Sequence, residues 1–383
     1  MRVMISCGEP SGDLYAGALT KALRLREPGV DVFGLGGERL AAAGGRLVAD
    51  FGGLSVTGIT EAWRLLPRFY GVLRRLVAAA RETRPDVFVA IDFPDFNFHL
   101  LAAVRKLGIP TVYYVSPQLW AWRPRRMEKM RRLVDHVLVI FPFEEALYRA
   151  AGVPVTFVGH PLVELARPAQ PRPAFLRDRG LVPELPTVGL LPGSRPNELR
   201  RHIPDLVASI PLIRAHVPDA QFVVACAPNL SDHLFTPFSG AGAVLVRDRT
   251  DDVLAASDVV VTASGTATVQ AALHERPMVV VYRLSRLTYR LGKPLVKIDS
   301  YAMANLIAGS RIVPELIQDE FTPSAVAEET LGLLGDRERH ARTREALRMV
   351  REKLGAAGAS GRAADVVLKV ANAEYDPRLT WPH

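Results

Sequence analysis

The sequence predicts an α/β protein built as two parallel-sheet domains, and three features carry that prediction. Short apolar runs rich in Val, Ile, Phe and Tyr alternate with longer amphipathic stretches, a proline-rich segment breaks the rhythm, and the alternation then restarts. Continuously apolar strands separated by helices belong to a parallel sheet covered on both faces. At 383 residues the chain is also too long for one ordinary core.

In order, the first half gives strands at "RVMISC", "DVFGLG", "DVFVAID", "TVYYVS", "HVLVIF" and "VTFVGH", with helical stretches such as "GDLYAGALTKALRLR" between them. These define an N-terminal domain over residues 1–164. The segment "PLVELARPAQPRPAFLRDRGLVPELP" holds six prolines and reads as an inter-domain linker. A second domain over residues 165–345 follows with "TVGLLPG", "QFVVACA", "AVLVRD", "DVVVTAS" and "MVVVYR". The pattern is wholly helical after about residue 322. Residues 346–383 are expected to form C-terminal helices that return to the N-terminal domain or to a partner subunit. Two such domains are expected to face a cleft where strand C-termini and helix N-termini converge on a ligand.

Composition narrows the class. Hydrophobic residues make up 49% and charged residues 23%, a globular balance. Cys7 and Cys226 are the only cysteines, one per domain, which argues for buried thiols in a reducing compartment. No secretory leader pattern and no ~18-residue apolar span is present, so a cytoplasmic or membrane-surface location is expected. The net charge is +8, and residues 1–160 hold 21 Lys+Arg against 15 Asp+Glu. That excess suits nucleic acid, anionic lipid or phosphorylated ligands equally. The nine histidines show no metal-ligand spacing, so neither a metal nor a cofactor is expected.

Five constellations carry chemistry. In "DVVVTASGTATVQAALHERP" a strand runs through Ser264, Gly265 and Thr266 into a helix start, where small polar residues and the helix dipole suit a diphosphate. "LLPGSRPNELR" puts Gly193, Ser194 and Arg195 at another strand end, with Arg195 able to clamp a phosphate oxygen. Without a Walker lysine or GxGxxG, the pair reads as a nucleotide-sugar site. "VAIDFPDFN" ends a buried strand with Asp92 and Asp95; Asp95 also suits a helix cap, whereas Asp92 is the better candidate to accept a hydroxyl proton. "YYVSPQLWAWRPRRMEKMRR" mixes Trp120 and Trp122 with six basic residues, which fits a wet helix face, a lipid headgroup or nucleic acid. "ITEAWRLLPRFYGVLRRLVAAA" sets Trp63, Leu66, Phe69, Tyr70 and Leu73 at helical spacing beside arginines, the composition of an interfacial helix or of a core stripe, with Pro67 expected at a helix start or kink.

"GEPSGD", "FGLGG", "TGITE", "IDFPDFN", "YYVSPQLWAWR", "FPFE", "FVGHPL", "LLPGSR", "ASGTAT" and "NLIAG" occur in the order of one family. From about residue 2 to 330 the chain resembles lipid-A-disaccharide synthase. The resemblance implies a GT-B glycosyltransferase that joins UDP-2,3-diacylglucosamine to 2,3-diacylglucosamine 1-phosphate with inversion, releasing UDP. It implies that Glu9, Ser11 and Asp13 line the acceptor side, through hydroxyls or by positioning arginines, and that Asp92 is the general base. Gly193, Ser194, Arg195, Glu198, Ser264, Gly265 and Thr266 would hold the donor, with Gln270 standing where a ribose-binding glutamate is usual. Gln118, Arg123 and Asn305 are further binding positions of this kind. Gly8 and Gly12 are expected to permit the tight turn after the first strand. Acylated substrates imply docking on the inner face of the cytoplasmic membrane, and the family suggests homodimers formed partly by exchange of C-terminal elements. The rival readings are another GT-B member, such as a UDP-sugar 2-epimerase or a different lipid-linked glycosyltransferase, and a nucleic-acid-binding protein.

Overall fold

The computed structural model describes residues 1–52, 54, 59–117, 125–228, 230–284 and 300–372, without the side chains of 59–65 and 125. Gln118 and Arg123 therefore lie outside the described residues, as does the Trp63 side chain.

The chain divides into two compact units, Met1–Pro161 with the segment from Leu354, and Leu162–Lys353. Unit 1 holds β1 (Arg2–Ser6), β2 (Asp31–Gly36), β3 (Arg46–Asp50), β4 (Val87–Ile91), β5 (Thr111–Tyr114), β6 (His136–Val139) and β7 (Val155–Phe157). They form one parallel sheet in the order β3-β2-β1-β4-β5-β6-β7. Every residue of β4, β5 and β6 is buried, as a sheet covered on both faces requires. One face packs Met4, Phe33, Phe88, Phe96 and Tyr113 into a common core, each such side chain contributing about 1.5–3 kcal/mol of burial.

Unit 2 repeats the plan with β8 (Thr187–Leu191), β9 (Gln221–Cys226), β10 (Val244–Arg247), β11 (Val259–Ala263), β12 (Met278–Tyr282) and β13 (Glu315–Ile317), ordered β10-β9-β8-β11-β12-β13. Both orders are Rossmann-type: the first strand sits mid-sheet and the chain winds outward first to one side, then to the other. The reversal falls between β1 and β4 in unit 1 and between β8 and β11 in unit 2.

Two strands escape a reading by apolar runs. β3 is mostly exposed and β13 is three residues long; both are edge strands, which need no continuous hydrophobic run. The unit boundaries also differ from the expected 164/165 and 345/346. The charged helix Arg337–Lys353 stays with unit 2, where Lys353 Nζ donates to the Ile307 and Ala308 carbonyls (3.2 and 3.0 Å) at the end of the Met303–Ala308 helix. The helix Ala359–Ala371 packs on the helix Pro10–Arg26 of unit 1, fastened by an Arg26–Asp365 ion pair and by Arg362 donating to the Val158 carbonyl at 2.8 Å. Pro67 falls inside the helix Ile59–Thr83 and does not start it.

Candidate active site

In unit 1 the candidate residues after β1 and β4 lie at the switch point. β1 and β4 pair in register through Ser6 and Ala90, so "CGEPSGD" and "IDFPDFN" leave the sheet side by side. Asp92 and Phe93 both take left-handed backbone, φ +46 and +50, and Val115 after β5 does so at φ +62. Aspartate tolerates that region, but Phe and Val are strained there, and such strain gathers at functional sites. The Asp92 carbonyl accepts from Asn97 Nδ2 and from the Tyr113 hydroxyl, both at 2.7 Å, while Ser6 Oγ donates to Asn97 Oδ1 at 2.7 Å. Asn97 thus ties the ends of β1 and β4 together and holds Asp92 in its unusual conformation. Burial raises the Tyr15 and Tyr113 hydroxyl pKa values, with the nearby Asp92 charge adding to both shifts. Asp92 itself is half-buried, with the Tyr113 hydroxyl on its carbonyl.

Several expected roles change here. Asp13 is 4% exposed, and its carboxylate accepts the backbone N–H groups of Gly37 (2.7 Å), Arg39 (2.9 Å) and Leu40 (3.2 Å). It caps the helix Glu38–Ala42 from outside, so its oxygens bond to backbone of the fold. Gly8 and Gly12 do not supply unusual backbone angles. A Cβ on Gly8 would lie 2.1 Å from the Phe93 ring, and one on Gly12 would lie 3.2 Å from Cys7 Cβ, so both are glycines because neighbours press against them. Glu9 is the extended N-cap of the Pro10–Arg26 helix, and Ser11, half-buried, lies in its first turn. Asp95 is exposed in the first turn of the helix Pro94–Arg105, whose N-cap is Phe93, and pairs with Arg126. His160 is buried against Tyr15 and Phe141, its basicity lowered by burial to about 3, so it stays neutral.

In unit 2, β8 and β11 are paired through Leu191 and Thr262, so "PGSR" and "SGT" leave adjacent strands at the switch point. Gly265 takes φ +144, ψ −156, a region essentially reserved for glycine, and a Cβ there would meet none of the described residues within 4 Å. Thr266 opens the helix Thr266–Leu273, whose first N–H groups have no intrahelical acceptor. Ser264 is fixed by its N–H to the Val281 carbonyl (3.1 Å) and its hydroxyl to the Tyr301 carbonyl (2.7 Å). Gly193 takes φ +124, and a Cβ there would lie 2.7 Å from Glu198 Oε2. Glu198, buried, accepts from the Ser194 N–H (3.2 Å) and from Arg195 (3.1 Å), which holds the guanidinium at the start of the helix Pro196–Arg214. Its carboxylate occupies the kind of place that a phosphate oxygen would take at a helix N-terminus.

Asn305 is committed elsewhere. Its amide donates to the Val313 carbonyl (3.0 Å) and to Glu315 (2.7 Å), and its oxygen accepts the Ile312 and Val313 N–H groups (2.8 and 3.0 Å). Buried Glu315 in turn accepts the Tyr301 and Ala302 N–H groups, both at 2.9 Å. Asn305 therefore shapes the segment to which Ser264 is bonded. Gln270 directs its amide nitrogen to Asp251 (3.3 Å), which also meets His274 (3.0 Å). Reading by motif missed Asn97, His202 and Glu315, whose roles rest on partners that the fold brings to them, such as Ser6 for Asn97, Arg283 for His202 and Asn305 for Glu315. Among the described residues, no group of three or more His, Cys, Asp or Glu is arranged to hold a metal ion, and no helix is long and apolar enough to cross a membrane.

The profile of the family described as lipid-A-disaccharide synthetase matches residues 3–370. The chain belongs to the lipid-A-disaccharide synthase family. Proteins named lipid-A-disaccharide synthase from Myxococcus xanthus and Geobacter sulfurreducens are 43% and 41% identical to it, each covering 96% of this chain and 97% of the relative. Membership makes the chain a glycosyltransferase of lipid A biosynthesis and removes the epimerase and nucleic-acid readings. Two solved structures show the fold alone. One is the glycotransferase of kitacinnamycin (TM-score 0.64, 20% identity, 97% and 98% of the two chains covered). The other is the UDP-GlcNAc 2-epimerase of Neisseria meningitidis bound to UDP-GlcNAc (TM-score 0.67, 12% identity, 96% and 100% covered). This chain is built of two Rossmann-like parallel sheets, the GT-B architecture.

Proposed function

We propose that this lipid-A-disaccharide synthase family member divides its chemistry between the two switch points. Ser264, Gly265, Thr266 and Arg195 hold the diphosphate of UDP-2,3-diacylglucosamine, and Asp92 takes the proton from the 6-hydroxyl of 2,3-diacylglucosamine 1-phosphate as that oxygen attacks the anomeric carbon. The carbon–oxygen bond to UDP breaks as the new glycosidic bond forms, so the configuration inverts. The helix N-terminus and Arg195 stabilise the charge that develops on departing UDP. Glu198 keeps Arg195 extended until the more highly charged diphosphate takes its place.

The observation that supports this reading best is the convergence of each motif set on a topological switch point, where open α/β sheets take their ligands. In unit 1 Asp92, in left-handed backbone, stands there with Asn97 behind it. In unit 2 the glycine-only turn at Gly265 stands there, with none of the described residues within 4 Å of its Cβ position.

Diacylated substrates place the reaction at a lipid surface, and the helix Ile59–Thr83 supports that. Leu66 (40% exposed) and Tyr70 (49% exposed) point outward with Arg68, Arg74 and Arg75, so an anionic bilayer would gain about 1 kcal/mol per arginine near its surface. Phe69 and Leu73, expected on that outer face, pack instead against the unit 1 core. A homodimer formed by exchange of the Ala359–Ala371 helix would reuse the Pro10–Arg26 surface on which that helix already lies.

The decisive experiment incubates the protein with both acylated substrates and detects the disaccharide 1-phosphate by mass. Asp92→Asn should lose on the order of 10²–10⁴ in kcat while binding UDP normally. An Asp92→Asn protein with parental turnover would remove Asp92 as the base.

A further inference from the structure

The loop Pro192–Arg195 leaves β8 with Gly193 at φ +124, a conformation open to glycine, and its neighbours are held from both sides. On one side Glu198 holds the Ser194 N–H and the Arg195 guanidinium. On the other, the Pro192 carbonyl meets His202 Nδ1 at 2.8 Å. His202 is fully buried, one helical turn beyond Glu198 on the same helix. Its Nε2 accepts the Arg283 N–H at 3.1 Å, just past the end of β12. Because Nε2 accepts, Nδ1 carries the proton, and the ring is neutral in that tautomer. The His202 ring is seated against Tyr282 and Phe321, at centroid distances of 5.8 and 5.6 Å. Arg283 is itself tied down by an ion pair with Asp205 and by contacts to the Gln318 and Phe321 carbonyls.

We infer that His202 is a positioning residue for the donor: by fixing the Pro192 carbonyl and anchoring it to the exit of β12, it aims the Gly193 and Ser194 N–H groups and the root of Arg195 at the UDP diphosphate. This rests on the reading of that loop as the donor clamp. Hydrogen bonds within such a loop act on catalysis through pre-organisation, because groups already aimed need not be ordered when the ligand binds.

Three substitutions separate this role from simple packing. His202→Phe keeps the ring volume and removes both bonds; His202→Asn offers an amide N–H near the Nδ1 position; His202→Gln reaches toward the Nε2 position. UDP affinity by calorimetry, donor KM and acceptor KM are measured on the full-length protein, with circular dichroism as a check of folding. His202→Phe should raise UDP Kd and donor KM roughly tenfold with acceptor KM unchanged, and His202→Asn should stay within about threefold of the parent. A folded His202→Phe protein that binds UDP within about twofold of the parent overturns the inference. If His202→Phe does not fold, tighter UDP binding by His202→Asn than by His202→Gln supports the inference, and equal or reversed affinities overturn it. A parent that binds no UDP, or an Arg195→Ala protein that binds it like the parent, overturns the donor-site reading and this inference with it.

Discussion

Replacing Asp13 by asparagine tests whether the acidic side chains of "GEPSGD" face substrate or fold. In the native structure Oδ1 receives the Gly37 and Leu40 N–H groups and Oδ2 receives that of Arg39, all inside a site 4% exposed. The amide of Asp13→Asn can keep the first pair but sets an NH₂ against the Arg39 N–H, losing a charge-assisted bond of about 1.5–3 kcal/mol. Loss of the negative charge at the start of the Glu38–Ala42 helix costs about 0.3–1 kcal/mol more. Together these amount to about 3 kcal/mol, which in a domain of this size lowers the melting temperature by roughly 6–12 °C. Calorimetry gives the shift, and steady-state kinetics on the surviving folded protein give acceptor KM. The outcome that would refute the reasoning is a variant that melts with the parent yet loses acceptor binding, for then Asp13 touches the sugar.

Three further outcomes are expected. His136, His160 and His202 are buried and held neutral, with His136 lowered to about 4 and His160 to about 3 from 6.5. The unfolded chain binds their protons first, so stability is complete above about pH 6.5 and falls below it by up to about 1.4 kcal/mol per histidine per pH unit. Since two of the three lie in unit 1, hydrogen exchange should show that unit loosening more steeply between pH 6.5 and 5; equal or absent loosening counts against the buried neutral rings. The pair Leu66→Ser and Tyr70→Ser should weaken binding to anionic vesicles without moving the melt, whereas Phe69→Ala, which removes a ring 4.9 Å from Phe96, should cost about 2–4 kcal/mol of stability; unchanged vesicle binding in the first protein would sink the docking role. Gly265→Ala puts a Cβ where none of the described residues lies within 4 Å but forces an alanine to φ +144 at a cost of about 1–3 kcal/mol, so UDP titration should show at least severalfold weaker binding. Parental affinity there would mean that the turn is not the diphosphate cradle.

The sequence by itself determined the α/β class, most of the strands along the chain and the residues that end them, because fully buried strands are continuously apolar and the turns that leave them are rich in glycine and polar residues. It also yielded the glycine-only turn at Gly265 and the aspartate at the end of β4, since these depend on neighbours within a few positions. Only the tertiary structure decided that Asp13 and Asn305 bond to backbone while Asp92 and Arg195 stand at switch points, and that Gly8 yields to Phe93. The physical reason is that a side chain's role is set by the groups it meets. For Asp13 those groups are the N–H donors of a helix some 24 residues away, for His202 a strand exit 81 residues on, and no local pattern in the chain encodes either meeting.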